Sequence, residues 1–249
     1  MIKFFRKIRY DLMETGKTGK YFKYAIGEIV LVVIGILIAL SINNWNEHKK
    51  NLAKKEMLLI ALQTEFTSNL AQMKKVLFHD ERVAKGTKKL LQLDAKNSIE
   101  VTNDSLSKWL RRSSTRWTFN PLNGALRSGI SSGEIHLIQN DSLVNLLFGW
   151  QDFVADARED EERAVTALIA ANPMIQKHIR YVDYKNIYFF DSEKSEFTSD
   201  FQSLFRDPMF EDYLGERHLS ITEAIGALMR VREKNILILK IIANELATN

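Results

Sequence analysis

The chain has no cysteine, and only three prolines and eleven glycines in 249 residues. Without cysteine there is no disulfide, no Cys-ligated zinc, no iron–sulfur cluster and no thiol catalysis. Scarce proline and glycine among abundant helix formers argue against a β-sandwich or a doubly wound sheet and for an all-α fold. Catalytic signatures are missing as well. Residues 128–134, SGISSGE, lack the lysine and the strand context of a phosphate-binding loop. There is no Gly-x-Ser-x-Gly, no His-Glu-x-x-His and no solenoid or propeller period. His48, His79, His136, His178 and His218 share no ligand spacing. No cofactor is expected from this sequence.

A one-signed charge excess is also missing from most of the chain. The net charge is +4, from 35 basic and 31 acidic residues. Residues 1–28 hold seven basic residues (Lys3, Arg6, Lys7, Arg9, Lys17, Lys20, Lys23) and three acidic ones (Asp11, Glu14, Glu28), so they carry the whole +4. The remainder is balanced at 28 basic and 28 acidic residues. Basicity confined to a short leading segment orients a protein on a membrane, and it is not a nucleic-acid footprint.

The one long hydrophobic run comes directly after that basic segment. Tyr24–Trp45, YAIGEIVLVVIGILIALSINNW, is 22 residues long with Glu28 its only charge. A helix of that length rises ~30 Å, the thickness of a bilayer's hydrocarbon core. Tyr21, Phe22 and Tyr24 supply an aromatic belt at one face, and Trp45 marks the other. The charged region ahead is too long, and the apolar run too extended, for a cleaved signal peptide. The run is read as a retained single-pass anchor, with the lipid bilayer as its first partner. Residues 1–14 place Phe5, Ile8 and Leu12 at helical spacing among basic residues, as in an amphipathic helix lying on an anionic leaflet. Gly16 and Gly19 form a corner before the anchor. Seven basic residues before the anchor, against Lys49, Lys50, Lys54 and Lys55 after it, favour a cytoplasmic N-terminus and a periplasmic C-terminal domain in the inner membrane. Within the anchor, Gly27 begins the helical run, and Gly35 and Ala39 form a small-xxx-small pair suited to close helix packing. Glu28 either sits at the interface or works in an ion path.

Residues 16–47, GKTGKYFKYAIGEIVLVVIGILIALSINNWNE, resemble the N-terminal signature of an uncharacterised membrane-protein family abundant in Bacteroidota. Leu122–Asn140, LNGALRSGISSGEIHLIQN, resembles that family's second recurring element. The resemblance implies an inner-membrane location and a helical domain, and it assigns no chemistry.

Three segments are expected: a basic tail over 1–23, the membrane helix over 24–45 and a helical extracytoplasmic domain over 46–249. Asn46 to about Asp94 reads as one helix continuing the anchor, with Leu52, Leu59, Leu62, Phe66, Met73, Val76, Val83 and Leu90 on its seam. Asn69 and Asp80 interrupt that seam, and Gly86 is a candidate bend. A polar loop is expected over 94–103, then a short helix from Asp104 with Trp109 in the core. Arg111, Arg112 and Arg116, with Trp117, form the best candidate patch for an anionic ligand or partner, and solvated arginines on a bundle face are the plainer reading. A further helix is expected from Phe119-Asn120-Pro121 to Ser128-Gly129, then a long helix from about 141 to 171, capped at Asn140 or Asp141. Asp152, Asp156 and Glu159 line that helix and raise the question of a metal-dependent hydrolase. A solvated charged face is the plainer reading. Tyr181–Phe190 is β-prone, as a short strand or a buried loop. Short helices are expected around Asp207-Pro208, and a last helix from about Glu216 to Leu246 carries Leu219, Ile225, Leu228, Val231, Ile236, Leu239, Ile242 and Leu246. The run ILILKII within it is too short for a second span. Asp104-Ser105-Leu106 and Asp141-Ser142-Leu143 resemble O-glycosylation acceptors and equally fit helix N-caps.

Together these describe an all-α protein in which one N-terminal transmembrane helix continues into an antiparallel helical bundle. The expected role is a membrane-tethered, non-enzymatic scaffold, sensor or interaction module, as a homo-oligomer or with a membrane-protein partner and without nucleic acid. The alternative is a small oligomeric channel or ion-coupled subunit using Glu28.

Overall fold

The computed structural model describes residues 10, 18–93, 101–185 and 195–248. The expected amphipathic helix over 1–14, the corner at Gly16, most of the loop over 94–103 and the second half of Tyr181–Phe190 lie outside them. Every regular element among the described residues is helical, and none is a strand. In chain order these are α1 (Thr18–Leu91), α2 (Asn103–Ser113), α3 (Gly124–Ser131), a 3-10 turn (Glu134–Leu137), α4 (Asp141–Phe148), α5 (Trp150–Ala170), α6 (Asn172–His178), α7 (Tyr181–Lys185), α8 (Phe201–Phe205) and α9 (Pro208–Thr248). The chain divides into two compact units, residues 1–56 and residues 57–249.

From Thr18 onward the first unit is one stretch of helix. α1 runs unbroken through the apolar segment because no proline occurs before Pro121. Large apolar side chains from Ile26 to Ile42 are all exposed, on every side of the helix. Among the described residues this is the one helix long and apolar enough to cross a membrane.

The second unit is built from the distal half of α1, α5 and α9, with the short helices packed around them. Leu59, Leu62, Phe66, Met73, Val76, Val83 and Leu90 of α1 are fully buried. Their main cluster joins Leu143 and Leu147 of α4, Trp150, Val154 and Ala157 of α5, and Leu228, Val231, Ile238 and Ile242 of α9. Phe66 meets Trp150 edge to face at 4.8 Å. Burial of each such side chain stabilises by about 1.5–3 kcal/mol. A second cluster gathers Leu90, Leu106 and Leu110 with Ile175, Ile179, Tyr184, Phe201, Leu204, Phe210 and Leu214. Contacts between α5 and α9 step in opposite directions along the two sequences. Phe153 lies beneath Lys234, and Arg163 pairs with Glu223 at 2.9 Å.

The expected seam of α1 is buried from Leu59 to Leu90, whereas Leu52 at its start is exposed; of its two polar interruptions Asn69 is a clamp, as is the neighbouring Glu65. Glu65 accepts from the Ala125 and Leu126 N–H groups at 2.7 and 3.1 Å, satisfying orphan donors at the start of α3. Asn69 makes a two-way bond with the Leu122 backbone, accepting at 2.7 Å and donating at 2.9 Å.

Several expected boundaries move. The helix expected from Phe119 begins only at Gly124, because Glu65 supplies its N-terminal partner from α1. It ends at Ser131, and Gly133 rather than Gly129 takes the left-handed conformation, at φ 73°. Gly129 instead leaves room for Leu58, whose Cδ1 a methyl group there would meet at 2.7 Å. The helix expected over 141–171 is divided at Gly149 into α4 and α5, although i,i+4 bonds persist on either side. Tyr181–Lys185, read as β-prone, is helical, with Tyr184 fully buried. Trp109 is only half-buried, its ring under Lys89 at 5.4 Å, and Leu106 and Leu110 take the core positions. The N-caps are Thr102 and Asn140, so Asp104 and Asp141 lie in the first turns, where their charge suits the helix dipole.

The final helix starts at Pro208, eight residues early, and runs through Gly215. Its buried face also differs from the expected one. Leu219 and Ile236 point outward, while Arg217, Ser220 and Asn235 point in. Backbone periodicity decides which residues share a face, and here that face includes polar side chains.

Candidate functional site

Arg217 organises the middle of the second unit. Its side chain is 1% exposed, and it bonds three carbonyls from two segments. It donates to Ala164 O at 2.6 Å, Thr115 O at 2.8 Å and Ser113 O at 3.2 Å. A planar guanidinium supplies this fork of donors, and a lysine does not. Arg217 thereby fixes the chain that leaves α2, residues 113–117, against α5 and α9. Two buried acids flank it. Asp80 is 2% exposed and Glu161 6% exposed. The Asp80 carboxyl is pushed up to about 7, by burial first and then by the Glu161 charge, against the pull of Arg217. Glu161 is likewise pushed up to about 7 by burial, while the Phe119 N–H, 3.1 Å from Oε1, pulls the other way. Nothing in the sequence singles out Glu161 or Arg217. Asp80 is visible there as a break in an apolar seam.

On the outer side of the 113–117 segment lies a basic cleft. Its volume is about 340 Å³, and it is lined by His79, Arg82, Lys108, Arg111, Arg112, Thr115 and Trp117. No carboxylate lines it. Arg111 and Arg112 are half-buried. Among the described residues, Arg82, Lys108, Arg111 and Arg112 form no ion pair. Trp117 stacks on His79 with ring centroids 3.8 Å apart and planes 3° from parallel. Burial first, then the Arg82 charge, lowers the His79 pKa, which favours the neutral imidazole in that stack. A second groove of about 330 Å³ adjoins it and shares Arg82 and Arg112, adding Lys85, Lys88 and Lys89.

Gly86 permits this arrangement. A Cβ there would lie 3.2 Å from the Cβ of Arg112 and 3.5 Å from the Ser113 nitrogen and the Trp109 carbonyl oxygen. The glycine admits α2 close to α1, which brings Arg111 and Arg112 beside Arg82. It sits inside an unbroken helix, so its role here is close approach.

The expected patch is therefore divided. Arg111, Arg112 and Trp117 come together in the cleft. Arg116 is exposed and lines a neighbouring hollow of about 550 Å³ with Arg158, Glu161 and Glu162. The anchor residues Tyr24, Gly27, Gly35, Ala39 and Trp45 are exposed on α1, and Glu28 is partly covered. A methyl group on Gly27 or Gly35 would meet nothing within 4 Å. Lys49 lies over the Trp45 ring at 4.3 Å. Asp152, Asp156 and Glu159 stand exposed along α5. Among the described residues, no three carboxylates or histidines converge as metal ligands would.

No curated protein and no solved structure matches this chain. Residues 28–149 match a family of unknown function, DUF6090. The match runs from Glu28 in the apolar segment to Gly149 at the break between α4 and α5, and so includes α2 and the basic cleft, which makes the chain similar to an uncharacterised family without assigning it an activity.

Proposed function

We propose that the chain is a membrane-tethered, non-enzymatic interaction module. Its anchor is Tyr24–Trp45, in the inner membrane with the N-terminus cytoplasmic. Its working part is an antiparallel helical bundle on the periplasmic side. The observation that carries this reading is the change in character along α1. Its apolar segment is exposed on all sides, whereas its distal half presents one buried face to a core. An all-round apolar helix in water is unfavourable by about 25 cal/mol for each Å² of exposed apolar surface, and lipid or another protein removes that cost. The opposite stepping of α5 and α9 contacts supports the antiparallel arrangement. The unbroken backbone of α1 gives a partner in the membrane and a ligand at the bundle one shared element to shift.

The absence of cysteine makes the test clean, because each introduced cysteine is the only thiol. Single cysteines placed along 28–45 should crosslink in cells to a second copy or to a membrane partner, and the protein should resist carbonate extraction. Recovery in the soluble fraction, or monomers alone with no captured partner, would overturn the reading.

A further inference from the structure

We propose that the basic cleft between α1 and α2 is a binding site for a small polyanion carrying at least two phosphate groups. This rests on the reading of the chain as an interaction module and names the ligand class of its bundle.

Residues 29–249 are neutral overall, with 28 basic and 28 acidic residues. Cations there have enough acids to pair with, and some do so, as when Arg163 pairs with both Asp160 and Glu223 and Lys177 with Asp207. In the cleft Arg82, Lys108, Arg111 and Arg112 converge without a carboxylate in the lining. Clustered like charges repel, and two of these arginines, Arg111 and Arg112, are half-buried residues. A convergence of like charges that a bound anion relieves is the expected design of an anion site.

Geometry narrows the class. Guanidinium forks match the paired oxygens of phosphate, and three of the four cations are arginine. The volume of about 340 Å³ is at the lower end of small-molecule sites and exceeds what one oxyanion fills. The adjoining groove continues the positive lining through Lys85, Lys88 and Lys89 without a carboxylate. A ligand with one charge would leave most of these cations uncompensated, and a chain of phosphates would meet them in turn. The site is also built. Gly86 sets the approach of the two helices, and buried Arg217 ties the Ser113 and Thr115 carbonyls in place from behind. Trp117, held flat on His79, forms one wall.

The full chain in phosphatidylcholine nanodiscs should be titrated with inorganic tripolyphosphate by calorimetry at about physiological ionic strength. Binding should be saturable and weaken as salt rises. The double variant Lys108→Gln, Arg111→Gln should weaken it by at least about tenfold, since each substitution removes a charge-assisted hydrogen bond to the ligand. Arg163→Gln, whose partners lie on α5 and α9, should leave binding unchanged. Tripolyphosphate should also change the intrinsic fluorescence, and Trp117→Phe should abolish that change. Orthophosphate should bind more weakly than tripolyphosphate. Competition with water-soluble dihexanoylglycerol pyrophosphate, a lipid headgroup with two phosphates, assigns the source: displacement at lower concentration than tripolyphosphate itself requires names a lipid headgroup, and the reverse names a free phosphate compound. No saturable heat with tripolyphosphate, or equal binding by the Lys108→Gln, Arg111→Gln variant, would overturn the proposal. If that happens while membrane crosslinking persists, the cleft assignment fails and the interaction-module reading stands.

Discussion

Arg217 shows how one buried side chain sets local geometry. It bonds three carbonyls on two segments, and its charge sits beside two carboxyls that burial holds near neutrality. Arg217→Met would remove the donor that the Ser113 and Thr115 carbonyls use and leave Asp80 without its cation. A loss of about 3–5 kcal/mol is expected, read from urea unfolding. Arg217→Lys should recover only part of it, because an ammonium cannot span the same fork. The acid pair adds a pH dependence of defined sign. Asp80 and Glu161 have ordinary values of 3.8 and 4.5 and folded values of about 7. The folded chain therefore keeps protons that the unfolded chain releases. Their stabilisation is complete below about pH 4 and is lost as pH rises through about 7. The two groups interact, so the pair titrates as a unit. Between pH 5 and 8 the stability read from urea unfolding should fall by about 1–4 kcal/mol in total. Asp80→Asn should flatten that fall, and an unchanged slope would show that the pair does not control it.

At the scale of elements, glycine separates close approach from mere tolerance. Alanine is worth about 0.5–1 kcal/mol over glycine in a helix interior when space allows. Gly215 in α9 meets nothing within 4 Å, so Gly215→Ala should stabilise by about that amount. Gly86→Ala should gain nothing and instead cost about 1 kcal/mol. The Arg112 Cβ stands 3.2 Å away, and Arg217 holds the neighbouring Ser113 and Thr115 carbonyls so that α2 cannot slide clear. Thermal unfolding of the two variants side by side tests this contrast. The same elements separate local from tertiary information. The apolar segment, the seam of α1 and the all-helical character are local patterns, legible in composition and period. Arg111, Arg112 and Trp117 can be named as a patch because they are near neighbours in sequence. Arg82 and His79 cannot be placed with them, because the helix pairing that Gly86 permits is a tertiary fact. Glu161 and Arg217 are hidden for the opposite reason: charged residues on a helix read as solvent-facing, and only packing turns them inward. The start of α3 escapes similarly, since Glu65, its capping group, lies sixty residues away from Ala125.

For the whole molecule, the two compact units carry separate kinds of stability. All three core clusters draw their buried residues from Leu58 to Ile242, so the second unit contains its own apolar core. The first unit contributes exposed apolar surface, which is stable in lipid and a liability in water. Removal of residues 1–56 should therefore leave a helical protein that unfolds cooperatively and stays monomeric without detergent. Its helix content per residue, by circular dichroism, should match that of the full chain. Its unfolding midpoint should lie within a few degrees of the parent's in a lipid nanodisc, since about 1 kcal/mol moves a domain of this size by about 2–4 °C. The full chain, by contrast, should aggregate when detergent is withdrawn. Loss of cooperative unfolding in residues 57–249 would mean that the core depends on the apolar segment. The shared helix would then be a structural support of the bundle, and a shift along it could not be separated from unfolding.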